Sequence, residues 1–586
     1  LAVATALFTV WVVLAGSVAS AEEKGKDRPK KIYAHYMGCY PAACMATWSA
    51  RNFEAQKIRH DGKRPEDAFG GRWRNYPLAP DGTNLPLAES ADLEIRRALR
   101  GGIDGFFIDA WAGNEGAKNV MDALFAAAEA KDYPFEISIC LDTSCLGGKP
   151  GAERIEVAAD AIRYVLDKHG KSPKLARRDG KPLIAGYNSV FLGLSVSGTG
   201  PAVNTQAFDT VVKQTPGWRG NHNLWTDRAF RMNPTVWDAY GRAYRAIEDR
   251  VGQPIYFHFC MCAFFCGVND GHFTAHDFAA AAGAMAANLP AVGEFICESG
   301  HEDRMAAAVK AKGAEWCEPM YFQYENIGWG GNRISMGFDT LRERWQHARD
   351  NGSTLIQFVT WNDYTENTCL APAYETRYAV LDLNSYFIKW WKTGHEPVPD
   401  HDRVYLSYRK YPKGAKIFPF KPKQPDAGGV LEVLTILPKP ARIRLPGRDA
   451  EYYAPAGMFW RQFDLKPGPV IAEVVRDGKV DVRLESPEPI TDRPYREQNG
   501  MTCYSTEFLR HWKADFGDAK PLLRGEYADD DHNGLPNWFE MYWYGKFFDW
   551  STATGTNPRA IAKDGKTNLQ HYLDQTAPVD LPAIKK

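Results

Sequence analysis

Short apolar runs recur along the first two thirds of the chain: KIYAHYMG (31–38), GIDGFFIDAW (102–111), FEISICLD (135–142), KPLIAGYN (181–188), QPIYFHFC (253–260), AVGEFICE (291–298), WCEPMYFQY (316–324) and STLIQFVTW (353–361). They are too short for amphipathic helices, and they read as buried strands. Between them lie segments such as ADLEIRRALRG, GAKNVMDALFAAAEAK, ERIEVAADAIRYVLDKHG and FDTLRERWQHARDNG. Their apolar residues recur every three to four positions and several stop at Gly, the marks of helices. Eight strands alternating with helices predict an α/β fold, a (β/α)8 TIM barrel with long loop insertions. An open doubly wound sheet fits less well, because no Gly-rich phosphate loop opens any of the helices.

Past residue 400 the pattern shifts to short alternating runs broken by Gly and Pro, as in GGVLEVLTILPKPARIRLPG and PVIAEVVRDGKVDVRLE, which predict an antiparallel β-sandwich. At the other end, LAVATALFTVWVVLAGSVASAEEK is uncharged and apolar up to Ala19-Ser20-Ala21 and then turns charged. That is the pattern of a secretory signal peptide; a retained membrane anchor is the rival reading. The expected organisation is a signal peptide over 1–21, a catalytic barrel over 22–400, a β-sandwich domain over 401–520 and a short tail over 521–586. The mature protein is expected to be a soluble monomer, secreted, periplasmic or at the cell surface, with no membrane span.

A TIM barrel builds its active site at the C-terminal ends of its strands. At those ends the runs carry His35 and Tyr36, Asp109 and Trp111, Asp142, Tyr187, and then Trp361 and Tyr364. These are candidate substrate-binding residues, the aromatics for stacking and the acids and imidazole for hydrogen bonding. Any one of them alone could be a cap or a loop residue. Further strand-end groups are Asn188, His258, Glu298, Tyr324 and Glu325.

Composition narrows the partner. Lys and Arg number 71 against 72 Asp and Glu, and no basic stripe is evident, so nucleic-acid binding is dropped. Aromatic residues reach 13%, and flat rings with polar tips suit the apolar C–H faces of sugars. Eleven cysteines are compatible with export, yet their odd number leaves at least one unpaired. Cys39 with Cys44 and Cys140 with Cys145 are close enough in sequence to close short loops; burial as free thiols is the alternative.

The tail carries EYADDDHNGLPNWFEMYWYG. Asp529, Asp531, Asn533, Gly534, Asn537 and Glu540 fall at positions 1, 3, 5, 6, 9 and 12 of an EF-hand-type loop, with the Leu535 carbonyl at position 7. One structural Ca2+ is expected there. A second copy around Asp564-Gly565-Lys566-Thr567-Asn568 has Ala560 and Ala562 in place of its first two acids and His571 at position 12, so it reads as decayed.

The eighth run ends in TWNDYTEN, which places Asp363 and Glu366 three positions apart. Breaking a glycosidic bond generally takes one carboxylic acid to protonate the leaving oxygen and a second carboxylate as base or nucleophile. Two nearby acids also push their pKa values apart, which lets one hold a proton while the other is ionised. TWNDYTEN resembles the W-N-D-Y-x-E signature of glycoside hydrolase family 71, the endo-α-1,3-glucanases or mutanases. AHYMG (34–38), GIDGFFIDAW and FEISICLD are similar to that family too, so the resemblance runs over about residues 30–515. It implies Asp363 and Glu366 as the catalytic pair, inversion at the anomeric carbon, a polysaccharide substrate and no catalytic cofactor. Thr365 and Asn367 depart from the family's usual Gly and Ser. Residues 76–113 are more like family 99, the retaining endo-α-mannanases and mannosidases, which keeps the sugar open. A non-catalytic secreted carbohydrate-binding protein is the reading from another class.

Overall fold

In the computed structural model the described residues are 28–47, 75, 77–80, 83–110, 115–143, 151–192, 232, 234–262, 274–296, 300–326, 331–419, 428–495, 500–521, 525–529, 532–544 and 563–578. The expected signal peptide and Trp111, Glu298 and Asp531 lie outside them. The chain divides into two compact units. The first holds residues up to Cys39, Gly102–Tyr321 and Glu343–Trp361; the second holds Tyr40–Gly101, Phe322–Arg342 and Asn362 onward.

The first unit contains a closed parallel barrel. Its strands are β1 (Lys31–Tyr36), β2 (Gly105–Ala110), β3 (Glu136–Asp142), β4 (Lys181–Tyr187), β5 (Tyr256–Cys260), β6 (Ala291–Gly293), β7 (Glu315–Met320) and β8 (Leu355–Phe358). Each pairs in parallel with the next, and β8 returns to β1 with Tyr33 opposite Gln357. All eight expected strands are present, so the TIM-barrel prediction holds. Along the chain each strand is followed by a helix: α1 (Leu87–Arg100), α2 (Glu115–Ala130), α3 (Gly151–His169), α4 (Pro234–Val251), α5 (Ala275–Ala286), α6 (Glu302–Lys310), α7 (Asp339–Asp350) and α8 (Ala379–Thr393).

Alternation along the strands turns Tyr33, Phe107, Cys140, Leu183, Ala185, Tyr256, Ala291, Cys317 and Leu355 into one interior cluster. The N-terminal end below it is closed by charge. Glu315, at the start of β7, takes the Arg178 guanidinium on both oxygens, with Nε to Oε2 at 3.0 Å, and also accepts from Thr354 and from the Tyr256 hydroxyl at 2.8 Å. Glu136, at the start of β3, accepts from Lys31 at 2.6 Å and from the Tyr33 hydroxyl.

The second unit contains a β-sandwich. One sheet runs β13–β10–β9–β16 and the other β12–β11–β14–β15. In chain order the strands are β9 (Arg403–Arg409), β10 (Val430–Leu437), β11 (Ala441–Leu445), β12 (Ala450–Ala454), β13 (Gly457–Asp464), β14 (Ile471–Arg476), β15 (Lys479–Glu485) and β16 (Met501–Ser505). Every pairing among them is antiparallel. Val404, Leu406, Tyr408, Leu431, Val433, Ile443, Val474 and Leu484 fill the space between the sheets.

The cysteines Cys44, Cys260, Cys317, Cys369 and Cys503 are free and buried. The expected Cys39–Cys44 loop closure is therefore replaced by the alternative, buried thiols; Cys145 lies outside the described residues. Among the described residues no helix is long and apolar enough to cross a membrane.

Candidate active site

The acid pair follows the last strand of the barrel by a few residues of chain. The Trp361 N–H donates to the His35 carbonyl at 2.6 Å, which ties that exit to the end of β1. Asp363 is buried, and its Oδ1 accepts from the Thr365 N–H at 3.0 Å, the Thr365 hydroxyl at 2.6 Å and the Glu366 N–H at 3.1 Å. An Asx-type turn of this kind fixes the carboxylate on its own backbone and sets the path of residues 363–366. Thr365, where the resembled family has Gly, supplies one of the three donors. Burial nonetheless pushes the Asp363 carboxyl above its ordinary value, outweighing these bonds, and so makes it a stronger base than a solvated aspartate. Glu366 is half-buried, and its carbonyl accepts from the Glu325 N–H at 2.9 Å.

Two consecutive basic residues, Arg409 at the end of β9 and Lys410 just past it, reach buried acids of the second unit. Arg409 Nη1 lies 3.3 Å from Glu325 Oε2, so the segment that holds the Glu366 carbonyl is itself held by a buried ion pair. Lys410 Nζ lies 2.8 Å from both Glu375 and Glu526 and 3.9 Å from Glu488. Glu488 is pushed up to about 8, chiefly by burial, which Lys410 only partly offsets, so it carries a proton at neutral pH. Neither basic residue was singled out from sequence; their partners are 35 to 116 residues away, and no local pattern marks them.

The barrel's own strand-end residues separate into two groups. His35, Asp109, Asp142 and Tyr187 lie on the inner face, two residues beyond Tyr33, Phe107, Cys140 and Ala185 of the core cluster. There the rings of His35 and Tyr187 are 5.9 Å apart, and both pack on Phe295, at 4.9 Å and 4.3 Å. Phe295 had not been picked out. Tyr36 lies on the opposite face of β1, where its ring and that of Trp361 pack on Phe106 at 4.9 Å and 5.0 Å. Both are fully buried, as is Tyr364 in the second unit, so none of the three presents a free ring face.

Residues 301–509, about a third of the chain, match the model of Glycosyl hydrolase family 71. That span includes β7, β8 and the Asp363–Glu366 turn, and it supports a glycoside hydrolase. No curated protein matches the chain. Among solved structures, the chain is similar to the GH99 endo-alpha-mannosidase from Bacteroides thetaiotaomicron, at 14% identity and TM-score 0.38, over 62% of this chain and 98% of that one. It is also similar to a glycosyl hydrolase family 2 member from Bacteroides cellulosilyticus DSM 14838, at 9% identity and TM-score 0.37, over 78% of this chain and 46% of that one. Likenesses of that size add nothing to the architecture the strands already define.

In the tail, Asp529 accepts from the Asn533 N–H at 3.0 Å and the Gly534 N–H at 2.7 Å, and Gly534 takes a φ of +93°, which favours glycine. The Asn533 amide donates to Glu540 Oε1 at 2.8 Å, and Glu540 lies in the first turn of the helix Asn537–Tyr544. Leu535, Trp538 and Phe539 pack with Tyr495 and Tyr527 in a small core of their own. Among the described residues, no three His, Cys, Asp or Glu side chains come together as a metal-holding group.

Proposed function

We propose that the protein is an exported glycoside hydrolase that cleaves an α-linked polysaccharide, with endo-α-1,3-glucan the foremost candidate. The observation that carries this reading is the ordered Asp363–Glu366 turn beyond β8, inside the span that matches the family 71 model. Glu366 is assigned as general acid and Asp363 as the base that activates water. A carboxylate held by three donors and raised by burial suits that role. His35, Asp109, Asp142 and Tyr187 on the inner face bind sugar hydroxyls. Tyr36, Trp361 and Tyr364, given the same role from sequence, are buried, and Tyr36 and Trp361 pack on Phe106.

Proton NMR of the first-formed product tests the mechanism. Inversion yields the β-anomer from an α-glucan. A retained α-product would overturn the inverting assignment and favour the family 99 alternative, an endo-α-mannanase or mannosidase type.

The tail is proposed to hold one structural Ca2+ through Asp529, Asp531, Asn533, the Leu535 carbonyl, Asn537 and Glu540. The donors are all oxygens, as a hard cation needs, and the chain bends sharply at Gly534, as such loops do. Ca2+ there would supply charge neutralisation within the loop and no step of the hydrolysis.

A further inference from the structure

Above the apolar layer, the interior of the barrel holds polar side chains of one chemical kind. His35 follows Tyr33 on β1, Gln357 follows Leu355 on β8, His258 follows Tyr256 on β5, and Asn188 stands just past β4. In these three strands the earlier residue belongs to the inner core cluster, so strand alternation turns His35, Gln357 and His258 inward as well; alternation does not place Asn188, one residue past the inward Tyr187, on that face. The imidazole of His258 lies over Gly293: a Cβ built there would meet its Nε2 at 2.9 Å, so this position of β6 has room for no side chain.

All four residues are more than nine-tenths buried. Yet His35 Nδ1, Asn188 Oδ1, both ring nitrogens of His258 and both amide atoms of Gln357 have no hydrogen-bond partner among the described residues. Such groups are costly to bury without partners, and the concentration of His35, His258 and Gln357 on one inner face asks for an occupant that supplies them.

The occupant's chemistry can be read from the donors and acceptors. Burial pushes both imidazoles down to about 3, so each ring is neutral near pH 7 and offers one N–H and one lone pair. The Gln357 carboxamide offers the same two roles. An anion would need cationic donors, and none of these side chains is one. A hydroxyl group both donates and accepts and carries no charge.

We propose that His258 and Gln357, with His35, form a hydroxyl-binding well inside the barrel mouth that seats an uncharged sugar unit and disfavours uronic or sulfated ones. That the hydroxyls belong to sugar and not to water rests on the glycoside hydrolase reading.

The test uses the full chain carrying Asp363→Asn, with its imidazoles 15N-labelled, titrated with D-glucose, D-mannose and D-glucuronate. The His258 resonance is assigned by its loss in His258→Leu. The expected result is that a neutral sugar moves the His258 and His35 signals, with D-glucuronate about ten-fold weaker or silent, and that Gln357→Leu weakens the neutral sugar about ten-fold. Gln357→Met serves if the Leu variant does not fold. Signals unmoved by either neutral sugar, with the substitutions altering only the melting temperature, would show water as the sole occupant and overturn the proposal. Equal response to glucuronate would overturn its specificity. Imidazole shifts in this chain, with no release of reducing ends from any α-glucan or α-mannan by the parent that keeps Asp363, would sink the hydrolase reading and leave the well standing; turnover by the parent without the shifts would do the reverse.

Discussion

The two ends of the barrel are built on opposite principles. At the N-terminal end every strong group is matched: Glu315 is gripped by Arg178, Tyr256 and Thr354, and Glu136 by Lys31 and Tyr33. At the C-terminal end the inward His35, His258 and Gln357 each carry polar atoms with no hydrogen-bond partner among the described residues; in the second unit, the Asp363 carboxyl, in the turn that follows β8 along the chain, is held in an environment that resists its ionisation. Matched charges stabilise the native state; unmatched polar groups cost stability and are retained where a substrate supplies the missing partners. Mutations at the two ends should therefore differ in sign as well as in size.

The largest effect is expected at the closed end. Arg178→Met leaves the Glu315 carboxylate buried without its cation, and should cost about 3–5 kcal/mol in denaturant unfolding. Activity per folded molecule should be unchanged. A variant that kept its stability but lost turnover would break the contrast.

Titration separates the ends next. His258 sits at about 3 in the folded chain against an ordinary 6.5, so the unfolded chain binds the extra proton between those values. The stability tied to its neutral form is full above about 6.5 and is lost as pH falls toward 3. Glu315 behaves differently: burial alone would raise it, but Arg178 and the hydroxyl donors outweigh burial and hold it below its ordinary 4.5. Its contribution is present above that range and disappears only as pH falls through the lower folded value. Melting temperatures between pH 7 and 3 should thus begin to fall well above 4.5; because His35 is pushed down to about 3 in the same way, His258→Leu should make that upper part shallower, and His35→Leu added to it should flatten it. An unchanged profile in the variant would contradict the assignment.

Asp363→Asn should give a smaller shift of the opposite sign. The carboxyl is raised in the fold, so its ionisation costs stability as pH rises through the folded value, and a neutral amide removes that cost. The variant should melt at or slightly above the parent at pH 7. A drop of several degrees would mean that the three donors to Oδ1 outweigh the burial. The smallest effect belongs to the tail. Millimolar Ca2+ should protect residues 525–578 from proteolysis and leave turnover unchanged, and Glu540→Ala should abolish that protection.

How far the sequence led follows from the same physics. The eight strands were legible because each is a short apolar run between helical periodicities; the acid pair stands out as a candidate because it comes directly after the last of them. The faces of the strands were not. Strands of a closed parallel barrel are buried on both sides, so neighbours such as His35 and Tyr36 look alike in sequence although one turns inward and the other packs on Phe106. Arg409 and Lys410 were hidden for another reason. They read as surface charges of a sandwich strand, and only folding brings Glu325, Glu375 and Glu526 to them.

The most direct test of the account is release of reducing ends from insoluble α-1,3-glucan by the parent, Asp363→Asn and Glu366→Gln, with a melting curve for each. The account predicts cleavage by the parent and a loss of about 10²–10⁴-fold in both variants, with their folding transitions intact. Parent-level cleavage by either variant would contradict it, as would failure of the parent to cleave any α-glucan or α-mannan.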